Sequence, residues 1–247
     1  MIVLLLVLVL LHIWLFNIPL PILIMRLSSI QGIKHLIRTI FSIGFLKSSI
    51  RKCARYYILL FTLNKRARLH HKALDSNLIT LNNTPITLSS IFDTYKSIPI
   101  IMSIGSYSWP PLVRNIDKIK DIYNTYSNKI KLITIYIEEA HASDDWSLPS
   151  QIINDMKKSH NYDGENITIA KTINDRIATA NKFVNDFEIP CDIYCDDINN
   201  NVMDIYDCWP DRLYIVLDNT IVYQGGKGPF GYKPEEVKEY LDKYFNR

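Results

Sequence analysis

The sequence predicts an α/β domain, a β-sheet flanked by helices, and three observations carry that expectation. Short apolar runs rich in β-branched residues recur at Ile98–Ile104, Ile130–Ile137 and Leu213–Leu217. Stretches whose apolar residues recur at helical spacing separate and follow them. The chain of 247 residues is 48% apolar, enough for one sizeable core plus a terminal appendage.

Taken in order, Leu78–Leu88 reads as a β-hairpin turning at Asn82–Asn83 and opening the globular part. Ile98–Ile104 is a buried strand. Pro110–Tyr126 is a helix, with proline's fixed φ suited to its first turn. Ile130–Ile137 is a second apolar strand, Thr172–Phe187 a helix and Cys191–Cys195 a short strand. Leu213–Leu217 and Thr220–Tyr223 form a hairpin around Asp218–Asn219, and Pro234–Phe245 is a closing amphipathic helix. Strands separated by helices and ending in a hairpin and a helix are the layout of a thioredoxin-like α/β sandwich. No internal repeat is visible.

The first segment is of another kind. Met1–Met25 contains no Lys, Arg, Asp or Glu, and a membrane-spanning helix needs roughly 20 apolar residues. It lacks a basic leading region and a small-residue cleavage site, so a retained transmembrane anchor is expected over residues 1–25 rather than a cleaved signal. His12 is a polar residue within it, and Pro19 and Pro21 place the end or a kink of the helix near Phe16–Leu20. Eleven Lys and Arg lie between Arg26 and Lys72 and none precedes the span. The positive-inside rule then puts the globular domain in the cytosol, as a single-pass protein of the endoplasmic reticulum or plasma membrane. Residues 26–75 read as a basic amphipathic linker, either lying on the membrane surface or simply connecting. The domain proper is expected over 76–247. A net charge of +3 is too mild to argue for a nucleic-acid partner. Cys53, Cys191, Cys195 and Cys208 would sit in a reducing compartment, where structural disulfides are not expected. No CxxC or Cys/His spacing points to a metal.

Three constellations bear chemistry. In IGSYSWPP, residues 104–111, a strand ends, a polar turn follows and Pro110 opens a helix. Amide N–H groups and the helix dipole at such a junction stabilise an anion and lower a thiol's pKa. The residue there is Trp109, whose indole is a donor only and offers no nucleophile. Taken by itself it reads as a packed aromatic. In YIEEAHASDDW, residues 136–146, Glu138, Glu139 and His141 follow the carboxyl end of a strand, where α/β sites form. The histidine suits an acid, a base or a ligand contact, and equally a solvated loop. In residues 210–244, Gly225, Gly226, Gly228 and Gly231 read as turn glycines. GGKG lacks the spacing of a phosphate loop. Arg212 begins a strand and reads as a surface or sheet-edge charge.

Together these segments resemble the iodothyronine deiodinases. The family's F-G-S-C-T-Sec-P-P is matched by Gly105-Ser106-Tyr107-Ser108-Trp109-Pro110-Pro111, and its Y-I-E-E-A-H-P-S-D-G-W by Tyr136 to Trp146. Its P-[DE]-R-L strand corresponds to Pro210–Val216, and its ending to Tyr223 through Gly228-Pro229 to Glu236-Val237. The resemblance implies a thioredoxin-like fold with family insertions and a homodimer. It also implies a reaction, reductive removal of iodine from thyroid hormones such as thyroxine with an external thiol reductant. Trp109 then marks the position of the selenocysteine nucleophile, with Ser106 in the same loop. Glu139 and His141 match the loop that handles the proton and the substrate hydroxyl. His141 and Arg212 resemble the pair that grips the two ends of the hormone, and Cys191 a cysteine that resolves an oxidised nucleophile. No metal or other cofactor is implied. Two departures stand out: Tyr107 replaces a cysteine, and Ala170 stands where a second family histidine is expected. Selenocysteine is encoded by UGA, which a translation reading that codon as tryptophan would write as Trp109. The alternatives are a genuine tryptophan in a membrane-anchored binding protein without catalysis, and a thiol peroxidase-like enzyme using one of the cysteines. None of those cysteines precedes a helix through a proline.

Overall fold

The computed structural model describes residues 66–246. The expected membrane anchor, most of the linker and Cys53 lie outside the described residues. Among those described, no helix is long and apolar enough to cross a membrane.

The chain enters through the hairpin β1 (Asn77–Thr80) and β2 (Pro85–Thr87), followed by α1 (Leu88–Thr94). Asn83, in the tight turn, has φ 59°, a value asparagine tolerates well. Then come β3 (Ile100–Gly105), α2 (Pro110–Arg114), α3 (Ile116–Tyr126), β4 (Lys131–Tyr136), α4 (Ser150–Ser159) and α5 (Ile173–Phe187). The last part comprises β5 (Asp192–Asp196), α6 (Asn201–Ile205), the hairpin β6 (Arg212–Leu217) and β7 (Thr220–Gln224), and α7 (Pro234–Phe245). Asp218 and Asn219 both have positive φ, as a two-residue hairpin turn requires.

The seven strands form one mixed sheet in the order β2-β1-β5-β4-β3-β6-β7. β3, β4 and β5 are parallel; β6 runs antiparallel to β3, and β7 to β6. A central βαβ unit beside a ββα unit, with β3 between β4 and β6, is the thioredoxin-like arrangement. All six residues of β3 are buried, which explains its unbroken apolar sequence. One face of the sheet packs Ile101, Leu132, Leu213 and Ile215 against Ile119 and Ile122 of α3, Ala180 and Phe183 of α5, and Val237 and Leu241 of α7. The other packs Ile100, Met102, Ile104 and Val216 against Ile91 and Phe92 of α1 and Val202 and Met203 of α6. Both crossovers between the parallel strands run on the first face, and the return from β5 to β6 runs over the second.

The expected helix over Pro110–Tyr126 is two helices. Asn115 breaks it, with φ −103° and ψ 3°, and its Nδ2 donates to the Pro111 carbonyl at 2.8 Å. That side chain offers the backbone an alternative to helical continuation. Helix α5 starts as expected at Thr172, whose hydroxyl accepts from Asp175 N while the Asp175 carboxylate accepts from Thr172 N, a capping box. α1, α4 and α6 were not expected from the sequence. α1 and α6 are short, and only Met156 of α4 is buried, so little apolar periodicity marks them.

Candidate active site

The chemistry-bearing segments meet at the carboxyl ends of β3 and β4, where Gly105 pairs with Tyr136. Parallel strands leave a crevice there, bounded by the loops that follow them. From β3 come Ser106, Tyr107, Ser108 and Trp109, and from β4 come Glu138, Glu139 and His141.

Glu139 joins the two loops. It is 4% exposed. Its Oε2 accepts from Ser108 N at 2.9 Å and from the Ser108 hydroxyl at 2.6 Å, and its Oε1 accepts from the Tyr136 hydroxyl. The Tyr136 hydroxyl accepts from Tyr107 N at 3.2 Å. Ser108 Oγ in turn accepts from His141 N at 3.0 Å, and Tyr162 donates to the Ser108 carbonyl at 3.3 Å. Burial raises the Glu139 carboxyl above its ordinary range, against the opposing effect of the Ser108 and Tyr136 donors. The Ser106 hydroxyl is near enough to favour the carboxylate but makes no hydrogen bond of normal geometry.

The clamp fixes His141 against position 109. The imidazole and indole rings stack, with centroids 5.4 Å apart and planes 15° from parallel. His141 Nδ1 lies 2.9 Å from the Trp146 carbonyl, and the Trp146 ring meets the imidazole edge-on at 4.8 Å. A carbonyl only accepts, so Nδ1 carries hydrogen. Further anchors hold the loop. Asn200 donates to Glu138 Oε2 at 2.9 Å, Ser143 N to the Ile167 carbonyl at 2.7 Å, and Ile169 N to Asp144 Oδ1 at 2.8 Å. Asn200 is itself held by the buried Arg176, whose guanidinium donates to Asn200 Oδ1 at 2.6 Å.

Trp109 precedes α2 and is half-buried. Its Nε1 donates to Asp211 Oδ2 at 2.7 Å, and Asp211 Oδ1 accepts from Gly228 N at 2.7 Å. The backbone at Gly228 approaches so closely that a Cβ there would fall 2.9 Å from the indole ring and also collide with Asp211, so only glycine fits. Asp211 has no exposed surface, and burial pushes its carboxyl up to about 6 against the two N–H donors.

Not every residue singled out by sequence joins this cluster. Arg212 alternates with Asp211 and turns to the other face of the sheet. Its Nε donates to the Gly225 carbonyl at 2.7 Å, it lies 3.6 Å from the Asp207 carboxylate, and it covers the Tyr214 ring. Lys227 also pairs with Asp207, at 3.1 Å. Cys191 lies just before β5, whose Cys195 is level with Tyr136. Four residues of parallel strand separate it from that level by roughly 13 Å. Its thiol is 3.4 Å from the Thr134 hydroxyl, and burial pushes it up to about 11. Tyr107, which stands in a cysteine's place, is fully buried. Its hydroxyl donates to Asp186 Oδ2 at 2.5 Å and accepts from Asp163 N at 3.1 Å, and its ring packs edge-on with Tyr162, Phe183 and Phe187. The tyrosine is built into the core, tying the site loop to α5.

Ser108, Tyr136, Tyr162 and Asp211 were missed by sequence reasoning. Ser108 and Tyr136 stood inside the quoted motifs, and Asp211 one residue before Arg212. Strand alternation carried across that pair would have assigned Asp211 to the site face.

Two buried acids set a pH dependence of stability. Asp196, which accepts from Val202 N and Met203 N at 2.9 Å each, is raised by burial to about 7, and Asp211 to about 6. A carboxyl whose pKa is raised on folding contributes fully below its unfolded pKa and loses that contribution as pH rises through the folded value. Asp175, Glu235 and Glu236, held below the usual range chiefly by hydrogen bonds, act only in more acid solution. The urea midpoint should therefore fall between pH 5 and pH 8. A midpoint that rises over that window contradicts this.

Comparison with known proteins agrees with the motifs. The sequence profile described as iodothyronine deiodinase matches residues 7–245. Type I iodothyronine deiodinase of Xenopus laevis is 30% identical over 207 residues, 83% of this chain and 73% of that protein. Type II iodothyronine deiodinase of Mus musculus is 31% identical over 153 residues, 60% of this chain and 53% of that protein. Thyroxine 5-deiodinase of Bos taurus is 30% identical over 146 residues, 59% and 44% of the two chains. The match thus spans about half of the latter two relatives. A thioredoxin domain of a thiol-disulfide oxidoreductase from Bacteroides vulgatus is similar in backbone, with a TM-score of 0.47 at 9% identity over 72% of this chain and 97% of that one.

Proposed function

The chain belongs to the iodothyronine deiodinase family, and from that premise we propose that it is a membrane-anchored oxidoreductase that removes iodine reductively from iodothyronines, with its nucleophile at position 109. The observation that carries this reading is the stack of His141 on residue 109, fixed through Ser108 and Glu139. It sets a proton-exchanging nitrogen beside the side chain that would react.

A selenolate or thiolate at 109 attacks the iodine of the iodinated ring. The carbon–iodine bond breaks, its electron pair stays on the ring carbon, and that carbon takes a proton while a selenium–iodine or sulfur–iodine bond forms. One external thiol displaces iodide and a second restores the selenol or thiol, leaving a disulfide between the two reductant sulfurs. His141, whose ring stacks on residue 109, is the candidate to supply the proton, from Nε2 of its imidazolium. The Glu139 carboxyl, raised by burial and hydrogen-bonded to the Ser108 hydroxyl, is a second candidate to exchange the proton. Cys191 begins roughly 13 Å down the parallel strand from the level of Tyr136, which favours external thiols as the resolving agents. A grip by Arg212 on the far end of the hormone requires its guanidinium to exchange Asp207 or Gly225 for the ligand. The anchor at residues 1–25 and a homodimer belong to the same proposal.

An indole has no lone pair able to attack iodine, so the active protein requires selenocysteine or cysteine at 109, and selenocysteine is our reading of the natural residue. The second reading is a binding protein with a genuine tryptophan, favoured by the complete pairing of the indole with Asp211. Iodide release from radiolabelled thyroxine with dithiothreitol separates the two. The tryptophan form should release none and Trp109→Cys a measurable amount. A folded Trp109→Cys protein that binds thyroxine and releases nothing favours the binding protein, and absence of binding by either form rejects iodothyronines as ligands.

A further inference from the structure

We infer that Asp211 is a positioning residue for the side chain at 109, a buried carboxyl that hydrogen-bonds that side chain and imposes its charge on it. The geometry is specific. Asp211 Oδ2 receives the Trp109 Nε1 hydrogen at 2.7 Å, while Gly228 N holds Oδ1 at 2.7 Å so that the carboxyl cannot rotate away. Asp211 is wholly buried, and the close approach of Gly228 shuts the space around it. Among the described residues, the side chain hydrogen-bonded to this carboxyl is the one at 109.

The groups facing it are few. His141 lies across the indole, and the buried Tyr232 hydroxyl, hydrogen-bonded to Ser103 at 2.7 Å, feels the Asp211 charge. Arg212 is the nearest cation in sequence and is turned to Asp207 and Gly225 on the other face. With tryptophan at 109, Asp211 holds the ring flat against His141. With a thiol or selenol there, whose reactive atom ends short of the indole nitrogen, an ionised Asp211 opposes the anion through its charge. The second half rests on reading 109 as the reactive position, but neither measurement below uses deiodination. Failure of the proposed function therefore leaves them interpretable.

In the full-length protein, Trp109→Cys would be alkylated with iodoacetamide across pH, following the peptide Ser97–Arg114, which holds no other cysteine. Adding Asp211→Asn removes the like charge and should speed alkylation at pH 7 by about threefold or more. A smaller change in the folded double variant overturns the inference. Should the double variant not fold, the unsubstituted chain decides. The Trp109 Nε1–H resonance, assigned by its loss in Trp109→Phe, should move as pH crosses about 6 and return unchanged when pH is restored. A pH-invariant resonance that exchanges as fast as free indole overturns it.

Discussion

Replacing His141 by alanine in a Trp109→Cys background should lower iodide release by about 100-fold or more, the usual scale for removing a general acid or base. The size follows from what the imidazole does in this site. It lies flat on residue 109, its Nδ1 hydrogen is committed to the Trp146 carbonyl, and Nε2 is the ring nitrogen proposed to exchange the proton. Alanine removes that proton source and the wall against which the side chain at 109 rests. The backbone bond from residue 141 N to Ser108 Oγ survives, so the fold should not suffer. Unfolding free energies from urea denaturation within about 1 kcal/mol of the parent, the range of many substitutions, together with lost turnover, are the expected pair. Retained turnover in the His141→Ala protein would move the proton source elsewhere, first to Glu139.

Glu139→Ala should be the most damaging substitution to fold and function together. Its carboxylate is the acceptor for Ser108 N, the Ser108 hydroxyl and the Tyr136 hydroxyl inside the protein. Unsatisfied buried donors cost about 1–3 kcal/mol each and do not add fully, so a loss of roughly 3–5 kcal/mol is expected by urea denaturation. Trp109→Cys activity should vanish with it, since the clamp that sets residues 108 and 141 is gone. Glu139→Gln separates the two effects. The amide oxygen still accepts from Ser108, and Tyr136 can turn its hydroxyl to accept from the amide. The expected stability loss is therefore about 1 kcal/mol, while the exchangeable proton is absent. A Glu139→Gln protein with full turnover would reduce Glu139 to a structural clamp.

How much of this was legible in the sequence depends on whether the signal was local. β3 and β4 were legible because strands buried on both faces write continuous apolar runs, and α7 because one face of it is buried. The break at Asn115 was not, since a side-chain hydrogen bond to Pro111 competes with the helix only once the turn has formed. Within the site, the loop carrying Glu139 and His141 was placed correctly at a strand's carboxyl end. Glu139 proved to be an inward clamp because its partner Ser108 is 31 residues away in the chain, a distance no motif spacing encodes. Tyr107 taught the reverse lesson. Its departure from the family pattern resembles decay in sequence, yet its hydroxyl and ring are packed between Asp163, Asp186, Phe183 and Phe187. Arg212 and Asp211 are neighbours in sequence, but strand alternation sends one to each face, so only Asp211 reaches residue 109.

The most direct test of the central claim is the identity of residue 109 in the protein as its own cells make it. Trypsin releases the segment Ser97–Arg114, which contains position 109 and no other Trp or Cys. Mass spectrometry of that peptide, alkylated after reduction, reads the residue. The account predicts selenium at 109, visible as its isotope pattern and as alkylation at that position. A peptide carrying unmodified tryptophan there would contradict an enzyme that uses this position as its nucleophile.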